Sequence, residues 1–95
     1  MIVVEGQSNE RLVLDGAWFE KQRGGRPVTR NPASTFRGAQ WNDIERRVSL
    51  FGREKEHLVQ VTLAFEGSGF VGFITAAANR PALASLVEGL EHAAG

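Results

Sequence analysis

A run of basic side chains between residues 21 and 41 is the part of this sequence whose residue types and spacing point most clearly to chemistry. The run contains five bases and no acid, whereas residues 1–20 carry four acids and one base, and residues 42–95 carry seven acids and five bases. Guanidinium groups bind carboxylates and phosphates through paired hydrogen bonds, and the backbone amides of Gly24 and Gly25 would add donors. We therefore predict an anion-binding surface. Its basic residues are Lys21, Arg23, Arg26, Arg30 and Arg37.

The local sequence around these bases predicts a long exposed loop. Residues 21–32 show no apolar periodicity, and Gly24-Gly25, Pro27 and Pro32 interrupt them. Long loops in small domains are commonly functional or mobile. The alternative interpretation is a solvated polar loop with no partner. The site hypothesis fails if the chain's own carboxylates already neutralise the guanidinium groups.

Trp41 completes the predicted partner-binding site. An aromatic ring beside cations can stack on a nucleobase or lie at a membrane surface. The chain has two tryptophans, Trp18 and Trp41. For both, the alternative to contact with a ligand is packing in the core. Because Trp41 adjoins the basic loop, we expect it to be the more exposed of the two.

Other motifs do not assemble a catalytic or metal site. Gly67–Gly72 matches G-x-G-x-x-G, but β-forming residues follow it where a dinucleotide site requires a helix, so a hairpin turn is predicted. His57 and His92 lack partners at metal-ligand spacing, and no serine has nucleophile-elbow spacing. We therefore expect no enzyme activity, no catalytic residue, no metal and no cofactor.

Length and composition predict one ordinary globular domain over residues 1–95. The chain has 95 residues, is 42% hydrophobic, and carries 11 basic and 11 acidic side chains. It has no cysteine, which excludes disulfides and sulfur-ligated zinc sites. No apolar run is long enough to span a bilayer, and the first residues do not resemble a secretion signal. We expect a cytoplasmic protein.

Alternating apolar residues and turn signals predict five to seven short strands within residues 2–75. The strongest signals are the Asp15-Gly16 pair between two β-forming runs and the alternation of His57–Glu66. A turn or strand crossing is predicted at Asn42-Asp43. The other predicted strands are Met1–Glu5, Phe36–Trp41, Ile44–Phe51 and Phe70–Thr75.

The C-terminal residues change to a helical period and predict one helix over about residues 79–93. Leu83, Leu86, Val87 and Leu90 form an apolar stripe at i, i+3, i+4 and i+7. Asn79 is the predicted N-cap, with proline following in the first turn.

These elements predict an α+β fold, with a single antiparallel sheet or a partly open barrel closed by the C-terminal helix. Over about residues 10–93 the order resembles the bacterial pleckstrin-homology-like (PH-like) domain. The resemblance lies in Leu12–Gly16, in Trp41–Ile44 leading into a strand, and in the closing helix. In phosphoinositide-binding PH domains a basic loop between early strands is the anion site. The family's lipid-binding consensus has no match here, so the resemblance does not imply lipid binding.

The leading functional hypothesis is a non-catalytic interaction module that binds an acidic protein surface through the Lys21–Arg37 segment. The neutral whole molecule favours an acidic protein over nucleic acid. The alternative is binding of anionic lipid or single-stranded nucleic acid through the same segment with Trp41. Homo-oligomerisation through a sheet edge or the helix is a further possibility.

Overall fold

Seven strands and one C-terminal helix make up the computed structural model, which describes residues 1–47 and 54–95. The predicted α+β class and the upper predicted strand number are confirmed. Short 3₁₀ turns at Ala33–Thr35 and Ala77–Asn79 connect elements. The strands are β1 (Ile2–Glu5), β2 (Glu10–Asp15), β3 (Trp18–Arg23), β4 (Arg26–Pro32), β5 (Phe36–Arg47), β6 (Lys55–Phe65) and β7 (Gly69–Ala76), and the helix is α1 (Arg80–Ala94).

The strands divide into two antiparallel sheets. The first has the order β1-β2-β3-β4 and the second the order β5-β6-β7. The prediction of a single sheet is wrong, and no strand pairing among the described residues closes the two sheets into a barrel. The chain changes sheet at Pro32 and the Ala33–Thr35 turn. Proline cannot donate to a ladder, so β4 ends where the corner begins.

The predicted hairpin turn at Asp15-Gly16 is confirmed between β2 and β3, but its two loop residues lie one position later in the chain. Asp15 pairs with Trp18, so the two loop residues are Gly16 and Ala17. Gly16 has φ +59°, which places the left-handed residue first, as in a type II′ turn.

The predicted loop over residues 21–32 is wrong, because this segment forms most of the hairpin β3–β4. Gly24 and Gly25 have φ +59° and +79°, which a type I′ turn requires at both central positions. Pro27 and Pro32 are accommodated because β4 is the edge strand of its sheet. A register shift makes Val28 an extra residue opposite β3.

Strand β5 runs without interruption through the predicted turn at Asn42-Asp43. These residues pair with Gln60 and Val59 of β6, and the ladder continues to Arg47 opposite Lys55. The predicted turn is therefore wrong. The predicted strand Ile44–Phe51 is confirmed as far as Arg47, and its remainder lies outside the described residues.

The last hairpin and the alternation of β6 are confirmed. Phe65 pairs with Gly69, and Gly67–Gly69 turns the chain directly into β7 rather than into a helix. The apolar side chains of β6 lie alternately in the core. These are Val59, Val61, Leu63 and Phe65.

The core lies between the inner faces of the two sheets and α1. The Phe19 ring stacks on Phe65 with centroids 4.9 Å apart, and Phe36 meets Phe65 edge-on at 5.7 Å. The predicted apolar stripe of α1 is buried, and Glu88 and Glu91 face outward.

The start of α1 confirms the position of Asn79 but not its predicted bonding. The Asn79 side chain makes no cap hydrogen bond and instead donates to Thr75 Oγ1 at 2.9 Å and to the Glu5 carbonyl at 3.3 Å. Thr75 is buried and also donates to that carbonyl, at 2.5 Å. These bonds join β1, β7 and the helix start.

No helix in the described ranges is long and apolar enough to cross a bilayer.

Candidate partner-binding site

The structure divides the six predicted site residues among three places. Three lie together where the β3–β4 hairpin turns, one lies farther along β4, and two belong to the second sheet. They are Lys21, Arg23 and Arg26 at the hairpin turn, Arg30 on β4, and Arg37 and Trp41 on β5.

The first group surrounds one carboxylate, that of Glu10 on β2. Arg23 Nη2 lies 2.5 Å and Nε 3.1 Å from Glu10 Oε2, and Lys21 Nζ lies 3.3 Å from the same oxygen. Lys21 Nζ also donates to the Gly72 carbonyl of β7 at 2.8 Å. The side chains of Lys21 and Glu10 are mostly covered. Both are therefore held in place by the fold.

Arg26 lies directly opposite Arg23 across the two-glycine turn. Like charges facing each other across two strands are destabilising. Among the described residues, no carboxylate lies within 4 Å of the Arg26 guanidinium, which is exposed. We call Glu10, Lys21, Arg23 and Arg26 the basic hairpin end. It contains three cations and one anion, a net charge of +2.

The ionisation of Glu10 is set by two opposing effects. Burial alone would raise the pKa of this carboxyl, but hydrogen bonds and charge attraction from Arg23 and Lys21 outweigh burial and lower its pKa. The carboxylate is therefore held ionised between its two cations.

This lowered pKa predicts a loss of stability in acid. A carboxyl with a lower pKa in the folded state adds stability above its unfolded pKa, and that stability disappears as the pH falls through the folded pKa. Urea unfolding of the wild type should therefore lose more free energy on acidification than unfolding of Glu10→Gln. Glu88→Gln, which removes an exposed helix carboxylate, is the matched control and should retain the wild-type slope. Equal slopes for both variants would contradict the ion-pair cluster.

Arg30 belongs to the outer face of the first sheet rather than to the basic hairpin end. Its guanidinium lies 3.9 Å from the centre of the Trp18 ring, and its Nε lies 3.7 Å from Glu20 Oε2. Trp18 is 42% exposed. The outward position of Trp18 could have been inferred from the sequence. Side chains in a strand alternate between its two faces, so Trp18 points away from the core if its neighbour Phe19 points into it.

Arg37 and Trp41 do not belong to the same surface as the basic hairpin end. Arg37 forms an ion pair with Glu66 and donates to the Phe36 carbonyl at 3.1 Å. Trp41 packs against the core and is half-buried, with the Arg80 guanidinium 5.3 Å from its ring centre. The expectation that Trp41 is more exposed than Trp18 is wrong.

Four of the five predicted cations are thus paired with carboxylates of the same chain. The pairing partners are Glu10, Glu20 and Glu66. A freely exposed arginine loop is therefore excluded as the description of this segment. What remains is a folded hairpin with an excess of positive charge at its end.

Within residues 1–47 and 54–95, no three histidine, aspartate or glutamate side chains lie together as a metal ion would require. Comparison with protein-family models, curated proteins and solved structures finds no match to this chain.

Proposed function

We propose that the chain is a non-catalytic, cytoplasmic interaction domain of PH-like architecture that binds an acidic segment of another protein through the basic hairpin end. The proposal narrows the predicted site to Lys21, Arg23 and Arg26. A four-stranded sheet, a three-stranded sheet and a C-terminal helix support the PH-like comparison. Lys21 and Arg23 are positioned by Glu10, and Arg26 supplies a guanidinium without an acidic partner in the described part of the chain.

The observation that carries this proposal is the pair Arg23 and Arg26 facing each other across the two-glycine turn. A carboxylate placed between two guanidiniums relieves their repulsion and forms charge-assisted hydrogen bonds with both. The type I′ turn fixes the separation of the two strands, so little backbone freedom is lost on binding. A glutamate- or aspartate-rich segment offers several such carboxylates.

Anionic lipid or single-stranded nucleic acid is the second class that the sequence suggested. Binding of either ligand was predicted because an aromatic side chain next to the cations could stack on a base or lie at a membrane surface. Trp41 lies in the other sheet, and Trp18 is engaged by Arg30. The acidic protein is therefore favoured, and the other two ligands become outcomes of the test.

Reversing the charge of Arg26 is expected to weaken binding of an acidic peptide at least about tenfold, since a lost charge-assisted pair corresponds to about 1.4 kcal/mol or more. Arg26 is chosen because Arg23 and Arg30 stabilise neighbouring carboxylates, and replacing them would disturb the fold. Fluorescence anisotropy with a labelled glutamate-rich peptide measures the affinity of wild type and Arg26→Glu.

Arg47→Glu is the matched control, because it makes the same charge change at the far end of β5. It should leave peptide affinity within about twofold of wild type. Parallel titrations use vesicles containing phosphatidylserine and an oligothymidine. An equal loss in both variants would refute the hairpin end as the site, and preferential binding to vesicles or oligothymidine would replace the acidic protein with that ligand.

A further inference from the structure

Between Gly38 and Ile44 of β5, and in the paired parts of β6 and β7, the outer face of the second sheet carries no charged side chain. Alternate residues lie on the side opposite the core cluster, from Gly38 to Ile44 in β5, from Leu58 to Ala64 in β6 and from Phe70 to Ala76 in β7. Leu58 on this side is itself buried. These twelve positions are all apolar, amide, hydroxyl or glycine, whereas the overall content of 23% charged residues would place about three charges among them. We call this surface the neutral face.

Ion pairs lie at both ends of the neutral face. Arg37 pairs with Glu66 beyond the Phe70 end, and Arg46 Nη2 lies 2.5 Å from Glu56 Oε2 at the other end. Soluble proteins ordinarily place charges on exposed sheet faces. Depletion of charge within a face that charges border is typical of the central part of a protein interface.

A protruding ring and a hollow lie side by side on this face. Phe70 is 79% exposed, although large aromatic side chains are normally buried. Beside it lies a hollow of about 270 Å³ over β5 and β6, with Gly38, Thr62 and Ala64 in its lining and the Phe70 ring itself at its border. Cavities of about 150 Å³ accept a benzene molecule. The hollow therefore has room for a phenyl ring.

We propose that the neutral face pairs with the same face of a second copy of this chain, with each Phe70 ring filling the hollow of the other copy. The ring is on β7 and the hollow lies between β5 and β6. A two-fold axis parallel to β6 places β7 of one copy over β5 of the other, so both rings meet both hollows. Such an isologous contact requires one self-complementary surface, which the ring and hollow provide.

The absence of charge favours a second copy as the occupant. Two copies of a charged face would bring like charges together at the symmetry axis, whereas the twelve positions of the neutral face bring none. Beyond Leu58 the axis brings the Glu56 side chains of the two copies toward each other, and each is paired with Arg46 of its own chain. The face is three strands wide and about eight residues long, or roughly 14 by 26 Å. That area is below the roughly 800 Å² per partner of a stable complex, so the dimer is weak and concentration-dependent.

Sedimentation velocity over a concentration series tests this pairing. The wild-type sedimentation coefficient should rise with concentration toward that of a dimer, with little dependence on salt because no ion pair is formed. Phe70→Ser, which removes the ring, and Ala64→Arg, which blocks the hollow, should both remain monomeric. Trp18→Ser removes an exposed ring from the other sheet and should associate like the wild type.

Mixing the two interface variants distinguishes the symmetric arrangement from any other. Phe70→Ser removes one border of the hollow but leaves its β5 and β6 lining unblocked, and Ala64→Arg keeps the ring, so their mixture should recover part of the association that neither shows alone. A mixture that stays monomeric would overturn the two-fold arrangement. A wild-type chain that stays monomeric throughout, or a Trp18→Ser chain that loses association equally, would overturn the proposal.

Discussion

Phe19→Ala is expected to remove about 3–5 kcal/mol of the free energy of unfolding. Phe19 is fully buried, and its ring stacks on Phe65 at the centre of the core. A domain of this size has roughly 5–14 kcal/mol of stability in total, so the variant should be close to unfolding or partly unfolded. Urea denaturation followed by circular dichroism measures the loss.

The neighbouring Trp18 supplies the control for this prediction. Trp18 is also a large aromatic residue on β3, but it points outward and contacts Arg30. Trp18→Ala should cost about 1 kcal/mol or less, the value of an exposed cation–π contact. A slip of β3 by one residue would exchange the two environments. A larger loss for Trp18→Ala than for Phe19→Ala would therefore contradict the observed register.

Gly6→Ala is expected to destabilise the domain by about 1–3 kcal/mol through overpacking. A Cβ atom at Gly6 would overlap the Cε1 and Cζ atoms of Phe73 and lie 2.7 Å from the Ile74 carbonyl oxygen. Phe73 is 1% exposed and has no space to move outward. The next residue, Gln7, donates its backbone N–H to that carbonyl at 2.8 Å, which holds the β1–β2 turn against β7.

The matched control for the Gly6 variant is Gly72→Ala in β7. A Cβ atom at Gly72 would meet nothing within 4 Å, and alanine is preferred to glycine in a strand. This variant should be as stable as the wild type or slightly more stable in the same urea titration. If Gly6→Ala matched it, the close contact between the turn and β7 would be refuted.

The C-terminal helix and strand β6 could be predicted from the sequence because their burial is one-sided. The stripe of α1 repeats at the helical period, and β6 alternates strictly over Val59 to Phe65. Local pattern and tertiary burial agree in both, so the prediction needed no knowledge of neighbouring elements. Gly89 also has a structural reason, because a Cβ there would lie 2.7 Å from Leu14 Cδ2.

Strand β4 could not be predicted in the same way. It is an edge strand with Pro27, a register shift at Val28 and several exposed side chains, so its residues show no period of two. Its pairing with β3 depends on the turn formed by Gly24 and Gly25. Two adjacent glycines, taken by themselves, are also typical of a loop. Two adjacent glycines between strand-length segments are equally a type I′ hairpin signal.

The basic residues could be found from composition, but their ion pairs could not. Glu10 lies eleven residues before Lys21 in the chain, and only the register of β2 and β3 places it beside Arg23. Likewise, Glu66 meets Arg37 because β5 and β6 pair at that end. A count of charges along the sequence therefore overstated the free positive charge of this segment.

The most direct test of the basic hairpin end is nitrogen-15 NMR of the arginine Nε–H groups during titration with a glutamate-rich peptide. The Arg26 resonance should shift most and that of Arg23 next, whereas those of Arg30 and Arg37, already paired with carboxylates outside the basic hairpin end, should stay nearly constant. Equal shifts of all four resonances would instead indicate a uniformly solvated polycation. Such a result would contradict the account, as would an Arg26 resonance that does not move.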